Sequence, residues 1–252
     1  MMKYSVVMAA HRPDHFLLQA VRSVELAISD DDAELIVVAN GFNRHAVVDV
    51  LVRAKISDKV RVEVTEMPSL IYALNRGIEL ARGEYIARFD ADDICLPNRF
   101  RTQHEIATKT GADFIFSDAE IIDAAGGLTG QRKIADRGLM KACGPIHPTA
   151  FMRREALLKL GGYGNLEFSE DYHLWLRASS EGYHLVVDHT PVIQYRVHSE
   201  QATDKSKLVD TFATNIGIKL IIGMRKRNPK IFFGAAIDTF YLVYRKCRAA
   251  FS

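Results

Sequence analysis

Four short apolar runs, separated by segments long enough for helices, constrain the fold of this chain more than any other feature. Tyr4–Ala9, Leu35–Ala39, Val60–Val64 and Glu84–Phe89 are rich in β-branched and aromatic residues. Val60–Val64 alternates valine with Arg61 and Glu63, and the other three, without polar alternation, fit strands buried on both faces of a parallel sheet. The segments between them read as helices. Pro13 and Asp14 open one, with Leu17, Leu18, Val21, Val24 and Ile28 at helical spacing. Arg44–Ala54 forms a second. Ser69 caps a third, which carries Leu70, Leu74 and Ile78 and stops at Gly83. This rhythm predicts βαβ units. Further on, Asn98–Thr108 reads as a helix, Asp113–Ser117 and Glu120–Asp123 as strands, and Ala124–Gly130 as a glycine-rich turn. Ser169 caps a helix through Ser180, and His184–Asp188 and Val192–Val197 resemble a closing pair of strands. There is no internal repeat and no low-complexity segment.

The stretch Ala73–Arg99, ALNRGIELARGEYIARFDADDICLPNR, carries the strongest chemical signal. An apolar strand runs directly into Asp90, Asp92 and Asp93. Carboxylates at the end of a buried strand are costly unless something neutralises them. A hard divalent cation carrying a diphosphate does so, because Mg²⁺ or Mn²⁺ takes oxygen ligands and leaves positions open for phosphate. The competing reading is an acidic turn before the Asn98 helix. A second candidate is Glu170-Asp171 in the first turn after Ser169. The helix dipole alone favours acids there, and the same position keeps a general base ionised. A third is His198, after the last strand, where a lone histidine is otherwise an ordinary surface residue. A fourth is the His147–Arg153 segment, a His-Pro-Thr turn entering an apolar strand, either a plain loop or a polar wall of a pocket.

Taken together, ALNRGIELARGEYIARFDADDICLPNRF, HPTAFMRREALLKLGGYG and SEDYHLWLRASSEGYHL…YRVHSEQAT resemble the family-2 glycosyltransferases of the bacterial surface-polysaccharide type, over about residues 3–203. The resemblance implies an α/β GT-A fold: a Rossmann-like, mostly parallel central sheet flanked by helices, followed by a C-terminal helical segment. It implies inverting transfer from a nucleotide sugar. Asp90 and Asp92 match the family's DxD motif, with Asp92 the direct metal ligand and Asp90 nearer the nucleotide. Asp171 matches the base of the ED pair, with Glu170 beside it. His198 matches a histidine that completes the metal–diphosphate site, and Ala9 and His11 match the loop flanking the nucleobase. Asn75, Arg76 and Ala91 join the nucleotide-side candidates; His147 and Arg99 are further site candidates. One departure stands out. An acidic residue usually follows the second strand, but here the run is Ala39-Asn40-Gly41-Phe42. Asn40 donates and accepts hydrogen bonds without charge. UDP is the first expectation for the donor, with dTDP and GDP open.

Composition bounds the rest. The 252 residues are 48% hydrophobic and 25% charged, enough for a sizeable core in one large or two small domains. The net charge of +2 hides an asymmetry: residues 205–252 carry ten basic and two acidic residues, +8, and the remainder 23 basic and 29 acidic, −6. The charge shift sets an expected division into a 1–203 catalytic domain and a 204–252 segment. In that segment apolar clusters alternate with Arg225-Lys226-Arg227 and Arg245-Lys246, a pattern suited to amphipathic helices on an anionic membrane. Packing on the catalytic domain or a dimer partner is the alternative, and a homo-oligomer is left open. Cys95, Cys143 and Cys247 fit neither a zinc nor a disulfide pattern. The first apolar run, about six residues, is too short for a signal peptide. Ile231–Tyr244, broken by Asp238, falls short of the roughly 18 apolar residues a span needs. The expected location is therefore cytoplasmic, peripheral on the inner membrane face, with a saccharide or lipid-linked acceptor and no nucleic acid, since no recognised module accompanies the basic tail. Two other functions compete. A sugar nucleotidyltransferase needs a glycine-rich phosphate loop, which AAHRPDHF lacks. A non-catalytic nucleotide-sugar-binding protein need not keep both the base and the metal carboxylates.

Overall fold

The computed structural model describes residues 2–135, 144–166, 168–198 and 208–250, with side chains described from 209 to 244 in the last stretch. In chain order the elements are β1 (Tyr4–Ala10), α1 (His15–Ala27), β2 (Ala33–Asn40), α2 (Arg44–Arg53), β3 (Val60–Thr65), α3 (Leu70–Leu80), β4 (Tyr85–Asp90) and β5 (Ile94–Cys95). There follow α4 (Arg99–Thr110), β6 (Phe114–Ser117), β7 (Ala119–Ile122), β8 (Leu128–Arg132), β9 (Phe151–Arg153), α5 (Arg154–Lys159), α6 (Glu170–Ser180), β10 (Leu185–Asp188), β11 (Ile193–Arg196), α7 (Leu208–Lys226) and α8 (Pro229–Ala250). They fall into two compact units.

The first unit holds all the described strands and the helices α1–α5. Its main sheet has seven strands in the order β10-β6-β9-β4-β1-β2-β3. β1 pairs in parallel with β2 on one side and with β4 on the other. Strand order therefore reverses at β1, and a ligand crevice is expected beyond the carboxyl ends of β1, β2 and β4. All eight residues of β2 are buried, as the unbroken apolar run requires. β9 departs from the parallel pattern and runs antiparallel to both β4 and β6. A second sheet of four strands has the order β5-β11-β7-β8.

Several local expectations hold and others change. Asp14 accepts the Leu17 N–H at 3.1 Å and Ser69 the Tyr72 N–H at 3.3 Å, so both cap as the sequence suggests. α3 ends at Leu80 rather than at Gly83. Gly83 serves a different purpose: a Cβ there would lie 2.3 Å from the Tyr4 carbonyl carbon, so only glycine lets the chain cross the start of β1. The glycine-rich turn is shorter than expected, because β8 begins at Leu128 and passes through Gly130. The closing strands do not pair with each other. β10 lies at the edge of the large sheet beside β6, and β11 lies in the small one between β5 and β7.

The second unit holds α6, α7 and α8. Tyr172 and Leu176 of α6 form a buried cluster with Ile218 and Ile222 of α7 and Ile231 of α8. Thus α6, which the sequence reading placed before a division at 203, packs with the helices that follow that point. Among the described residues no helix is long and apolar enough to cross a membrane.

Candidate active site

β4 delivers Asp90 to the carboxyl edge of the main sheet, in register with Ala9 of β1. The next residues turn through Ala91, Asp92 and Asp93 and enter β5. One carboxylate oxygen from each of Asp90, Asp92 and Asp93 lies within 4.8 Å of the others. β5 pairs antiparallel with β11, so the residues after β11 return beside the acidic turn. His198 Nε2 comes to 3.0 Å from Asp92 Oδ2. The structure therefore brings His198 beside Asp90, Ala91 and Asp92, more than a hundred residues earlier in sequence.

Three arginines that the sequence reading did not single out, or placed differently, hold this turn. Arg196 donates its backbone N–H to Asp93 Oδ1 at 2.9 Å and its Nε to the Asp92 carbonyl at 2.8 Å. Its guanidinium also bonds Gln19 Oε1 at 2.9 Å and lies over the Phe16 ring of α1. The Phe16 ring in turn packs 5.1 Å from the imidazole of His198. Arg88, two residues before Asp90 on the same face of β4, forms an ion pair with it. Arg99 was expected as a site residue; it is fully buried behind β4, against Phe89 and Phe100. It donates to the Arg88 carbonyl at 2.8 Å and to Gln103 Oε1 at 3.3 Å. Gln103 reaches the Thr149 carbonyl at 2.7 Å and Ser117 at 3.2 Å, which ties the His147–Thr149 turn to β6 and α4. A sequence signal for Arg88 did exist: a guanidinium inside an otherwise apolar strand demands a buried anion.

The electrostatics follow from this crowding. Burial raises the Asp93 carboxyl well above its usual range, and the neighbouring Asp90 and Asp92 add to the effect. Burial also raises Asp90, against the opposing pull of Arg88. Asp93 Oδ2 is buried with no hydrogen-bond partner. An acceptor left in this state, among clustered carboxylates with an imidazole alongside, fits a hard divalent cation. Arg99, desolvated, is pushed down to about 10.

The other candidates are placed as follows. Asn40 is buried at the end of β2, and its Oδ1 has no hydrogen-bond partner. Ala9 lies on β1 and His11 just beyond it; burial, with Arg12 second, lowers the His11 pKa and keeps the ring neutral. His147 is also held neutral, by burial and then by the nearby Arg88. Asn75 backs the Gly161-Gly162 turn, where a Cβ on Gly162 would meet its Oδ1 at 2.4 Å. Arg76 is not brought to the acidic turn; its guanidinium pairs with Glu63 at 2.7 Å and Glu79 at 3.4 Å.

Glu170 and Asp171 belong to the second unit, in the first turn of α6 as expected. Ser169 stands at the N-cap position but does not cap with its side chain: its backbone is left-handed, with φ 60°, and no side-chain cap bond forms. Asp171 Oδ1 instead accepts the N–H of Tyr172 at 2.6 Å.

Comparison with known proteins bears on the same residues. Residues 5–161 match Glycosyl transferase family 2. The O-antigen biosynthesis glycosyltransferase WbnJ of Escherichia coli is 29% identical over 212 residues, covering 81% of this chain and 83% of that protein. The UDP-Gal:alpha-D-GlcNAc-diphosphoundecaprenol beta-1,3-galactosyltransferase of Escherichia coli is 30% identical over 193 residues, covering 71% and 69%. Among solved structures, Staphylococcus aureus TarS residues 1–349 with UDP-GlcNAc superposes with TM-score 0.67 at 16% identity, covering 87% of this chain and 66% of that one. The mannosyltransferase PcManGT of Pyrobaculum calidifontis, in complex with GDP-Man and Mn²⁺, gives 0.62 at 15% identity, covering 96% and 75%. The structural likenesses establish the GT-A fold, and because the family match takes in more than half of the chain, including the acidic turn, the protein belongs to glycosyl transferase family 2 and is a glycosyltransferase.

Proposed function

We propose that this enzyme transfers a sugar, with inversion, from a nucleotide diphosphate sugar to a hydroxyl of a saccharide or lipid-linked acceptor in surface polysaccharide assembly. The observation that carries the reading is the trio of carboxylates at the reversal point of the sheet, with Asp93 Oδ2 left without a partner. Asp92 and His198 would hold the cation, with Asp90 held by Arg88 on the nucleotide side. A bound Mg²⁺ or Mn²⁺ supplies charge stabilisation for the departing diphosphate. Ala9, His11, Asn40 and Ala91 line the nucleoside side, and the neutral His11 adds no charge there. The partnerless Asn40 Oδ1 calls for an N–H donor, which the ring N–H of uracil, thymine or guanine provides; UDP remains the first choice. Asp171, kept ionised at a helix start, takes the proton of the attacking hydroxyl. The sugar passes through an oxocarbenium-like state, and direct displacement inverts its anomeric centre.

For the acceptor, the C-terminal helices offer an apolar surface: Ile221, Met224, Phe233 and Phe240 are each more than 60% exposed. Arg225, Lys226, Arg227 and Lys230 are exposed in the same stretch. Each such cation near an anionic bilayer adds about 1 kcal/mol, screened by salt. This supports a peripheral position on the cytoplasmic membrane face, with the chain from about residue 204 as the docking segment. Full-length protein is expected to co-sediment with anionic liposomes at low salt and release at high salt. Failure to bind would make the segment a packing or dimer element and leave room for a soluble acceptor.

The donor is tested by a thermal-shift screen of UDP-, dTDP- and GDP-sugars with Mn²⁺, since a ligand of the folded state raises its melting temperature. The relative named above suggests UDP-galactose with a GlcNAc-diphospho-lipid as the first substrate pair. Stabilisation by UDP-sugars that EDTA abolishes supports the reading. No response to any nucleotide sugar with Mn²⁺ would overturn it.

A further inference from the structure

The start of α6 has no side-chain cap of its own. Ser169 is left-handed and its hydroxyl makes no cap bond. One support of this turn lies underneath it. The Tyr172 backbone N–H holds Asp171 Oδ1, and the Tyr172 ring is completely buried. That ring sits 5.4 Å from Lys219 Nζ, close enough for a cation–π contact. Lys219 is itself 0% exposed. It crosses from α7 to α8 to meet Asp238 Oδ2 at 2.7 Å and the Gly234 carbonyl at 3.4 Å. On either side of Lys219, Ile218 and Ile222 pack against Tyr172 and Leu176. The acidic residue that interrupts the apolar run of α8 is thus the anchor of a buried lysine.

A buried ion pair is weak evidence for stability, and in some systems it selects register, since one alignment of the helices satisfies it and the others leave a bare charge. We propose that Lys219 and Tyr172 are positioning residues. The Lys219–Asp238 pair locks α7 and α8 into the alignment that presents its cation to the Tyr172 ring, and Tyr172 then fixes the Asp171 carboxylate. The C-terminal hairpin is in this way part of the catalytic apparatus, in addition to any role at a membrane. The proposal rests on Asp171 being the general base.

The test uses the full chain. Lys219→Met alone strands Asp238, so the working variants are Tyr172→Leu and the double Lys219→Met/Asp238→Met, which replaces both charges by apolar side chains. Tyr172→Phe serves as the conservative control. Turnover is followed as nucleoside diphosphate release when water takes the glycosyl group of UDP-galactose, or of whichever UDP-, dTDP- or GDP-sugar the screen selects, with Mn²⁺, the attacking water giving its proton to Asp171. Both working variants are expected to lose about tenfold in kcat, with donor KM and Mn²⁺–UDP affinity unchanged, while Tyr172→Phe keeps wild-type kcat. Because the effect passes through Asp171, Tyr172→Leu should add no further loss in an Asp171→Asn background, a non-additivity that a purely structural role would not produce. Hydrogen exchange at residues 170–174 should accelerate in both variants, a readout that needs no substrate. Wild-type kcat in both variants, or a full additional loss on top of Asp171→Asn, would overturn the proposal. Wild-type turnover in Asp171→Asn alone would show instead that the base assignment had failed, and the two failures are separately visible.

Discussion

The acidic turn after β4 and the first turn of α6 both hold carboxylates near the end of a secondary-structure element, yet they hold them by opposite means. The acidic turn is fixed by polar contacts from every side. Arg196 binds the backbone of Asp92 and the side chain of Asp93, Arg88 pairs with Asp90, and Arg99 secures the strand from behind. The start of α6 has an uncapped, left-handed Ser169 and is held from below by Tyr172 in an apolar cluster. The difference suits the two tasks proposed for these turns. A diphosphate and its cation have one fixed geometry, which a rigid hydrogen-bonded frame matches. A proton acceptor needs orientation, which packing from beneath supplies.

The comparison breaks most visibly at Asp92. Asp92→Ala is expected to abolish Mn²⁺-dependent binding of a UDP-sugar, lowering affinity at least about a hundredfold and leaving the residue of binding insensitive to EDTA; loss of an outer-shell partner alone costs 10–100-fold. Equal affinity of wild-type protein with and without EDTA would remove the cation from the account. Asp171→Asn should fold and bind donor as the wild type does and turn over about a hundredfold more slowly, the ordinary cost of a lost general base. If turnover persists, Glu170 is the next residue to substitute. His198→Ala should weaken Mn²⁺–UDP by about tenfold; calorimetry showing an unchanged Kd would reduce His198 to a buttress on Phe16.

The smallest effect concerns His173, on the α6 side. Burial, with Arg177 second, depresses its pKa to about 4. The folded state therefore favours neutral imidazole, and the stability it contributes is complete above about pH 6.5 and declines as pH falls toward 4. His11 and His147, whose pKa values desolvation likewise lowers, act in the same direction in the first unit. Melting temperatures between pH 7.5 and 5 should fall, and His173→Asn should flatten that slope by a few degrees, at about 2–4 °C per kcal/mol for a chain of this size. An unchanged slope would assign the pH sensitivity to the strand-bearing unit.

The sequence made the parallel half of the sheet legible because β1, β2 and β4 are apolar runs, and the edge strand β3 alternates valines with Arg61 and Glu63. It also located Asp90, Asp92 and the helix bearing Asp171. Other features stayed hidden because they depend on pairing over long distances. Nothing local to Ile94-Cys95 announces a strand that pairs with Ile193 and Gln194. Nothing in Phe151–Arg153 indicates that it inserts antiparallel between β4 and β6. Asp238 reads as an interruption until Lys219 is placed beside it. Arg99 looks like a site residue from its position near the acidic turn, but its helix face turns it into the core.

Gly83 marks a vulnerability at the opposite end of β4. With no room for even a methyl group against Tyr4, a substitution there must displace the start of β4 along β1. A six-residue strand is about 20 Å long and transmits such a slip as a unit. The shift would reach Asp90 and Ala9, whose register places the acidic turn. A saturation-mutagenesis map of this enzyme would therefore show a dead position at residue 83, on the far side of the sheet from its chemistry. Clustering such positions by loss of activity alone would draw an active site in the wrong place.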